Sequence, residues 1–252
     1  DLSDLAVSLD ELITGLIQLG QTIGMEVRVA LHGTRKPKRL AVLVSKEAHC
    51  LQTLIDAQQT GLFQGRGEIV GVLANHPTLE PLARKAQLPF AWMTAQDKPA
   101  HMHWLLEQLK ALTPDLVVLA RYMQIVTPQV VQAFRHRIIN IHPSLLPFFP
   151  GANPYQQAYD SGARVTGCTA HFVTEQLDEG PIILQDVFHI DVGTDTAADV
   201  KSKGQALEAH VLCQAVQMYL DEKLVVVDEK VVFRPGLSSF LDRQSPPAPR
   251  PA

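Results

Sequence analysis

Cysteine is scarce: Cys50, Cys168 and Cys213 are the only three in 252 residues, and they fall in unrelated segments without Cys-x-x-Cys or Cys/His ligand spacing. An odd number spread in this way argues against a disulfide framework and against a structural zinc, and fits a reducing cytoplasm. Positive charge is also sparse, 22 Lys and Arg against 26 Asp and Glu, for a net charge of −4. The one basic run, Arg35-Lys36-Pro37-Lys38-Arg39, reads as a solvated linker, so a nucleic-acid partner is unsupported. No apolar run approaches the roughly 20 residues that span a bilayer, and the N-terminus lacks the basic, apolar and small-residue succession of a signal peptide. A membrane partner is therefore not expected. The chain begins at Asp1 without Met, so Asp1 need not be the natural start.

What the chain does contain is apolar: 46% hydrophobic and 19% charged residues supply one substantial core and leave room for a small accessory domain. Leu5, Leu9, Leu12, Ile13, Leu16 and Ile17 recur at helical spacing, Gly20 to Gly24 reads as a break, and Met25 to Leu31 alternates as a strand. A lone helix and strand have no sheet on which to bury their apolar faces, so this pair reads as the tail of a larger module. From Leu40 short apolar runs alternate with helical ones: strands at 40–44, 68–73, 90–93, 116–120 and 138–142, helices at 49–60, 78–86, 99–112 and 128–136. This alternation predicts a parallel, doubly wound sheet with its ligand crevice at the carboxyl ends of the strands. Longer strands at 166–173 and 182–190, a helix at 196–220 and a hairpin at 224–227 and 230–233 follow, and the Pro-rich tail from Ser245 has no core-forming residues beyond Ala.

One constellation carries chemistry. Asn140 and His142 lie two residues apart on an apolar-leading run, so a strand there turns both side chains to one face. Asp178 follows 38 residues after Asn140 in Gln176-Leu177-Asp178-Glu179-Gly180-Pro181. An amide that stabilises an oxyanion, an imidazole that moves a proton and a carboxylate that orients the imidazole or holds a water form a set for attack on an amide-like carbonyl. Taken singly, each has a bland explanation: a turn amide, a strand-end histidine, an acidic turn. No His-Glu-x-x-His or other clustered ligand set is present, so no metal is expected, and His171 and His189 read as packed or surface residues.

The joint pattern is more specific. Asn140-Ile141-His142-Pro143-Ser144-Leu145-Leu146-Pro147, then Phe149-Pro150-Gly151-Ala152, then Gly167-Cys168-Thr169-Ala170-His171-Phe172-Val173, then Leu177-Asp178-Glu179-Gly180-Pro181-Ile182-Ile183, resembles the folate-dependent formyltransferase superfamily in order and spacing over roughly residues 40–233. That resemblance implies an α/β fold, a formyltransferase-type Rossmann-like sheet. It implies a folate substrate and no metal or other cofactor. By the same resemblance Asn140, His142 and Asp178 are catalytic, Met123, Gln124, Ile125 and Val126 lie on the pterin-contacting segment, and Gln176 and Leu177 lie on the loop that closes over it. For Met123, Ile125 and Val126 core packing is the competing explanation. Arg121 is read either as a partner for the folate glutamate tail or as a solvated loop charge, and is left out of the site.

The superfamily includes glycinamide ribonucleotide, methionyl-tRNA and sugar formyltransferases, and deformylases that use water as the acceptor. In the glycinamide ribonucleotide enzymes the turn after the first strand is Gly-rich and binds phosphate through backbone N–H groups. Here it reads Ser45-Lys46-Glu47-Ala48-His49-Cys50, without glycine and with a carboxylate where an anion would sit, and it is similar to the deformylase version. Gly151-Ala152-Asn153-Pro154-Tyr155-Gln156-Gln157-Ala158-Tyr159 is similar as well, whereas Pro143 departs from the second His that deformylases commonly carry after the catalytic one. Only 19 residues follow Phe233, so a tRNA-binding domain is not expected. The expectation is hydrolysis of a formyl-folate to formate. Formyl transfer to an amine is the alternative enzyme reading, and a folate-sensing protein without catalysis is the non-enzyme reading. Deformylases carry an N-terminal ACT domain, and residues 1–31 resemble its final helix and strand, an ordinary helical lead-in being the alternative; 1–35 are thus read as the C-terminal part of an ACT-like domain and linker, 36–234 as the catalytic domain and 235–252 as a tail. The ACT-like piece implies self-association as a dimer or tetramer.

Overall fold

The computed structural model describes residues 9–24, 36–148 and 153–233. It divides into two compact units, Asp1–Lys36 and Pro37–Ala252. In the first, helix α1 spans Leu9–Ile23. It runs on through Gly20, where the sequence suggested a break, and ends at Gly24 with a φ of 70°. A glycine inside a helix costs only about 1 kcal/mol, too little by itself to end it, whereas glycine at the left-handed position beyond the last turn is a stop signal. The strand expected over Met25 to Leu31 and the tail at 235–252 lie outside the described residues.

The second unit is built on a seven-stranded sheet, in the order β3-β2-β1-β4-β5-β6-β7. Its strands are β1 (Lys38–Val44), β2 (Gly67–Ala74), β3 (Phe90–Trp92), β4 (Leu116–Ala120), β5 (Ile138–His142), β6 (Val165–Phe172) and β7 (Ile182–His189). The first five run parallel, while β6 and β7 are antiparallel to their neighbours. Central strands β1 and β4 are continuous apolar runs because both of their faces are covered. Leu40, Val42, Val44, Val118, Ile139 and Ile141 face α2 (His49–Gln59), α3 (Glu80–Lys85) and α7 (Ala197–Leu220). Ala41, Leu43, Val117, Leu119 and Ile138 face α4 (Lys98–Leu112) and α5 (Pro128–Ala133). This is the period of two expected of a pleated strand, and it places Asn140 and His142 on the same face as Ile138.

Two helices are shorter than their periodicity suggests. The run 78–86 becomes a 3-10 turn, Pro77–Leu79, followed by α3, and α5 stops at Ala133 because Phe134 leaves the helical region and His136 takes a φ of 56°. Helix α6 (Pro154–Asp160) leads into β6, and α7 opens on a reciprocal cap in which Thr196 and Asp199 satisfy each other's backbone N–H. The hairpin of β8 (Leu224–Val227) and β9 (Lys230–Phe233) closes the described chain. Chain reversal falls between β1 and β4, whose connections leave on opposite faces, so the turns after these strands and after β5 converge at one crevice.

Candidate active site

Asn140 and His142 occupy the end of β5, and Asp178 reaches them from the turn between β6 and β7. His142 Nδ1 lies 3.4 Å from Asp178 Oδ2. The approach depends on Gly180. A Cβ at this position would sit 1.7 Å from the carbonyl oxygen of Phe172, so only glycine lets the turn lie against β6. Asp178 itself has a φ of 57°, a left-handed conformation that Asp tolerates better than most side chains. The carboxylate is thus aimed by the backbone of a tight turn.

Pairing of β5 with β6 sets Asn140 directly opposite His171. His171 Nδ1 lies 3.0 Å from the carbonyl oxygen of Phe172, which can only accept, so Nδ1 carries the proton. Its Nε2 is then an acceptor, 3.2 Å from Asn140 Nδ2 and 3.7 Å from Asp178 Oδ1. That contact uses one amide hydrogen of Asn140, which lines the cleft and has no second hydrogen-bond partner among the described residues. His171 was expected as a packed residue, and it is buried, but it also fixes the amide of the site. The signal that would have found it is the strand register, which local sequence does not carry.

Burial lowers the pKa of His142, partly offset by the charge of Asp178, and the Arg121 charge lowers it further. Burial likewise lowers the pKa of His171. Both rings rest neutral near pH 7. With Nδ1 turned to Asp178, the lone pair of His142 is on Nε2, which is buried and has no hydrogen-bond partner among the described residues. A neutral imidazole with a free Nε2 is equipped to take a proton first and return it later.

These groups open on a cleft of about 690 Å³, lined by Asn140, His142 and Asp178 and by all six residues expected to contact folate: Met123, Gln124, Ile125, Val126, Gln176 and Leu177. Core packing accounts for Val126, which is 9% exposed, but not for Met123, Ile125 and Leu177, which are 65%, 55% and 62% exposed. Three large apolar side chains left uncovered around one cleft suit a flat aromatic ligand. The Met123 segment is tied down by Ser45, whose buried hydroxyl accepts from Met123 N at 2.8 Å and donates to Asn75 Oδ1 at 2.7 Å.

The other end of the cleft is ionic. Arg121 is not a solvated loop charge: its Nε donates to Glu47 Oε2 at 2.8 Å and lies 3.3 Å from Glu208 Oε2. Glu208, on α7, is fully buried and also meets His49 Nε2 at 3.0 Å. Lys201 lies 3.4 Å from Glu47 Oε1, which also accepts from Gln205. Glu47 is partly desolvated, yet the Arg121 guanidinium holds its carboxyl below the usual range. Tyr155 packs its ring on Gly204 of α7, and burial, then the Glu208 charge, push its hydroxyl far up. The ligand atoms of His49, Cys50 and Glu208 converge within 4.8 Å, a spacing that could hold a cation. Arg121 already supplies a positive charge beside Glu208.

Residues 38–216 match the formyl transferase family. Among relatives, the chain is 45% identical over 197 residues to the formyltetrahydrofolate deformylase of Bacillus subtilis, covering 77% of this chain and 65% of that one. It is 41% identical over 198 residues to the formyltetrahydrofolate deformylase of Escherichia coli K12, covering 77% and 69%. The chain thus spans about two thirds of the length of these curated relatives. Among solved structures, the formyltetrahydrofolate deformylase of Pseudomonas syringae superposes with a TM-score of 0.84 at 32% identity, covering 91% of this chain and 76% of that one. A glycinamide ribonucleotide transformylase of Symbiobacterium toebii superposes with a TM-score of 0.74 at 34% identity, covering 81% and 98%.

Proposed function

This chain belongs to the formyltetrahydrofolate deformylases within the formyl transferase family, and from that premise we propose that it hydrolyses 10-formyltetrahydrofolate to formate and tetrahydrofolate, with water as the formyl acceptor. In the proposed reaction the pteridine lies against Met123 to Val126 under Gln176 and Leu177, with the formyl group at Asn140 and His142. Water attacks the formyl carbon as His142 Nε2 takes its proton, and the Asp178 carboxylate stabilises the imidazolium so formed. The carbonyl oxygen becomes an oxyanion held by the free Asn140 Nδ2–H; one such donor is worth about two to three orders of magnitude in rate. As the carbon–N10 bond breaks, His142 returns the proton to N10. Tetrahydrofolate leaves, and the formic acid formed ionises to formate with release of one proton. Each proton has a residue to carry it, so these steps call for no metal or other cofactor.

The observation that favours water over an amine is the ionic end of the cleft. Where a ribonucleotide acceptor needs backbone donors for its phosphate, this chain puts Glu47, with Arg121 already bound to it. Phosphate would meet a carboxylate rather than a nest of free N–H groups. The reaction supplies formate and balances the folate pools that serve purine synthesis, in a reducing cytoplasm suited to three buried free thiols. We assign residues 36–234 to catalysis and 1–35 to an ACT-like piece through which copies associate; among the described residues no helix is long and apolar enough to cross a membrane. The test is acceptor-free turnover. Purified protein releases formate from 10-formyltetrahydrofolate without any amine, and glycinamide ribonucleotide gives no heat in a calorimeter. Turnover only with that amine, or micromolar binding of it, overturns the assignment in favour of a transferase.

A further inference from the structure

Arg121 is committed through one nitrogen only. Its hydrogen bond to Glu47 is made by Nε, which is also the nitrogen nearest to Glu208, and among the described residues Nη1 and Nη2 make no hydrogen bond. The side chain is 15% exposed, and the residue lines the cleft. With Nε engaged, the fork of Nη1 and Nη2 is left without a hydrogen bond among the described residues. Its placement is imposed by the backbone: Arg121 has a φ of 61°, a left-handed conformation that a long side chain adopts only at a conformational cost. An arginine held in that state, with Glu208 buried beneath it and His49 behind Glu208, is a guanidinium whose direction is fixed by the fold. Arg121 and His142 line the same cleft.

From this geometry we propose that the Nη fork of Arg121 is the binding site for the formate released by the reaction, with formate seated between the catalytic imidazole and the Glu47 end of the cleft. This deepens the deformylase reading and rests on it. A planar guanidinium with two parallel N–H groups matches a carboxylate oxygen pair, which a lysine ammonium does not. Only the Nη edge is available, so the ligand must be small and flat, which fits the size of a one-carbon acid. Lys201 lines the same end and adds a cation, while Glu47 and Glu208 offset both positive charges. The site therefore binds by donor geometry rather than by net charge. An anion of three heavy atoms binds no tighter than on the order of a millimolar, weak enough for a product that must leave.

The test uses the full chain with 13C-formate observed by NMR saturation transfer, at constant ionic strength, with and without saturating tetrahydrofolate. Formate should bind in the millimolar range in both conditions, and tetrahydrofolate affinity should be unchanged by formate. Arg121→Lys keeps a charge between Glu47 and Glu208 but removes the fork, so formate affinity should fall by about tenfold or more with the fold intact by circular dichroism. If Arg121→Lys does not fold, Lys201→Ala at the exposed rim should lower formate affinity less than threefold, and nitrate, another planar anion, should displace formate from the wild type where chloride at the same concentration does not. Undetectable formate binding, equal binding in Arg121→Lys, or equal displacement by chloride overturns the proposal. Mutual exclusion of formate and tetrahydrofolate also overturns it, because the fork would then serve a carboxylate of the folate itself. Binding is read without turnover, so a protein that binds formate at Arg121 but releases none from 10-formyltetrahydrofolate would refute the reaction and not the site.

Discussion

Gly180→Ala tests whether catalysis depends on the close approach of the Asp178 turn to β6. A Cβ at residue 180 would lie 1.7 Å from the Phe172 carbonyl oxygen and 2.9 Å from its carbon, so the turn has to move out by about 1.3 Å to reach even a 3.0 Å contact. Strand β6 cannot yield, because Phe172 is buried and is paired with Ile139 across the sheet. The displacement falls on the turn, and Asp178, two residues away, travels with it. Its carboxylate stands 3.4 Å from His142 Nδ1, already at the outer limit of a useful contact, and a shift of this size breaks it. A misplacement of about 1 Å at a catalytic group costs on the order of a hundredfold in rate. Loss of the carboxylate's orienting role altogether costs up to about ten-thousandfold in a triad of this kind. Formate release by Gly180→Ala should therefore fall about a hundredfold or more in kcat, and because Gly180 is buried and Pro181 is hydrogen-bonded to Phe172 the thermal midpoint should fall as well. Stopped-flow or coupled detection of tetrahydrofolate gives kcat and KM separately. Wild-type kcat in a folded Gly180→Ala protein would refute the argument that this glycine places the carboxylate.

Asn140→Ala should lower kcat by about two to three orders of magnitude while changing folate affinity little, since the amide is assigned to the oxyanion and not to the ground state; a variant that mainly weakens folate binding would remove it from that role. Burial lowers the His142 pKa below its usual 6.5, so kcat/KM should decline only as pH drops beneath that value, and Asp178→Asn, which removes a charge that raises the His142 pKa, should move the acid limb to still lower pH while reducing the plateau. An acid limb that moves upward in Asp178→Asn would contradict the assigned electrostatics. Gly204→Ala places a Cβ 2.3 Å from the Tyr155 ring and should cost about 1–3 kcal/mol, read as a lower thermal midpoint, because α6 is held on α7 by that contact. An unchanged midpoint would mean that Tyr155 can swing away freely.

Several features were legible because they are local. Alternation of apolar runs with helical spacing depends only on the periods of strand and helix, so the order of β1 to β5 and the helices between them could be read residue by residue, and the common face of Asn140 and His142 followed from a period of two. The absence of glycine after β1 was likewise visible in the chain itself, as was the polar turn that carries Asp178. Helix ends were less legible: α5 stops short of His136, with Phe134 out of the helical region and His136 in the left-handed one. What the sequence could not supply was which side chain faces which across the fold. His171 joins the site because antiparallel β6 pairs with β5 in one register, and a shift of one residue would turn it to the opposite side of the sheet. Arg121 looked like a loop charge until α7, from the far end of the domain, placed Glu208 beside it as a buried ion pair at the ionic end of the cleft. Local periodicity fixes which face a residue takes, but a charge buried on one element declares its partner only when another element, distant in the chain, brings the opposite charge into a region from which water is excluded.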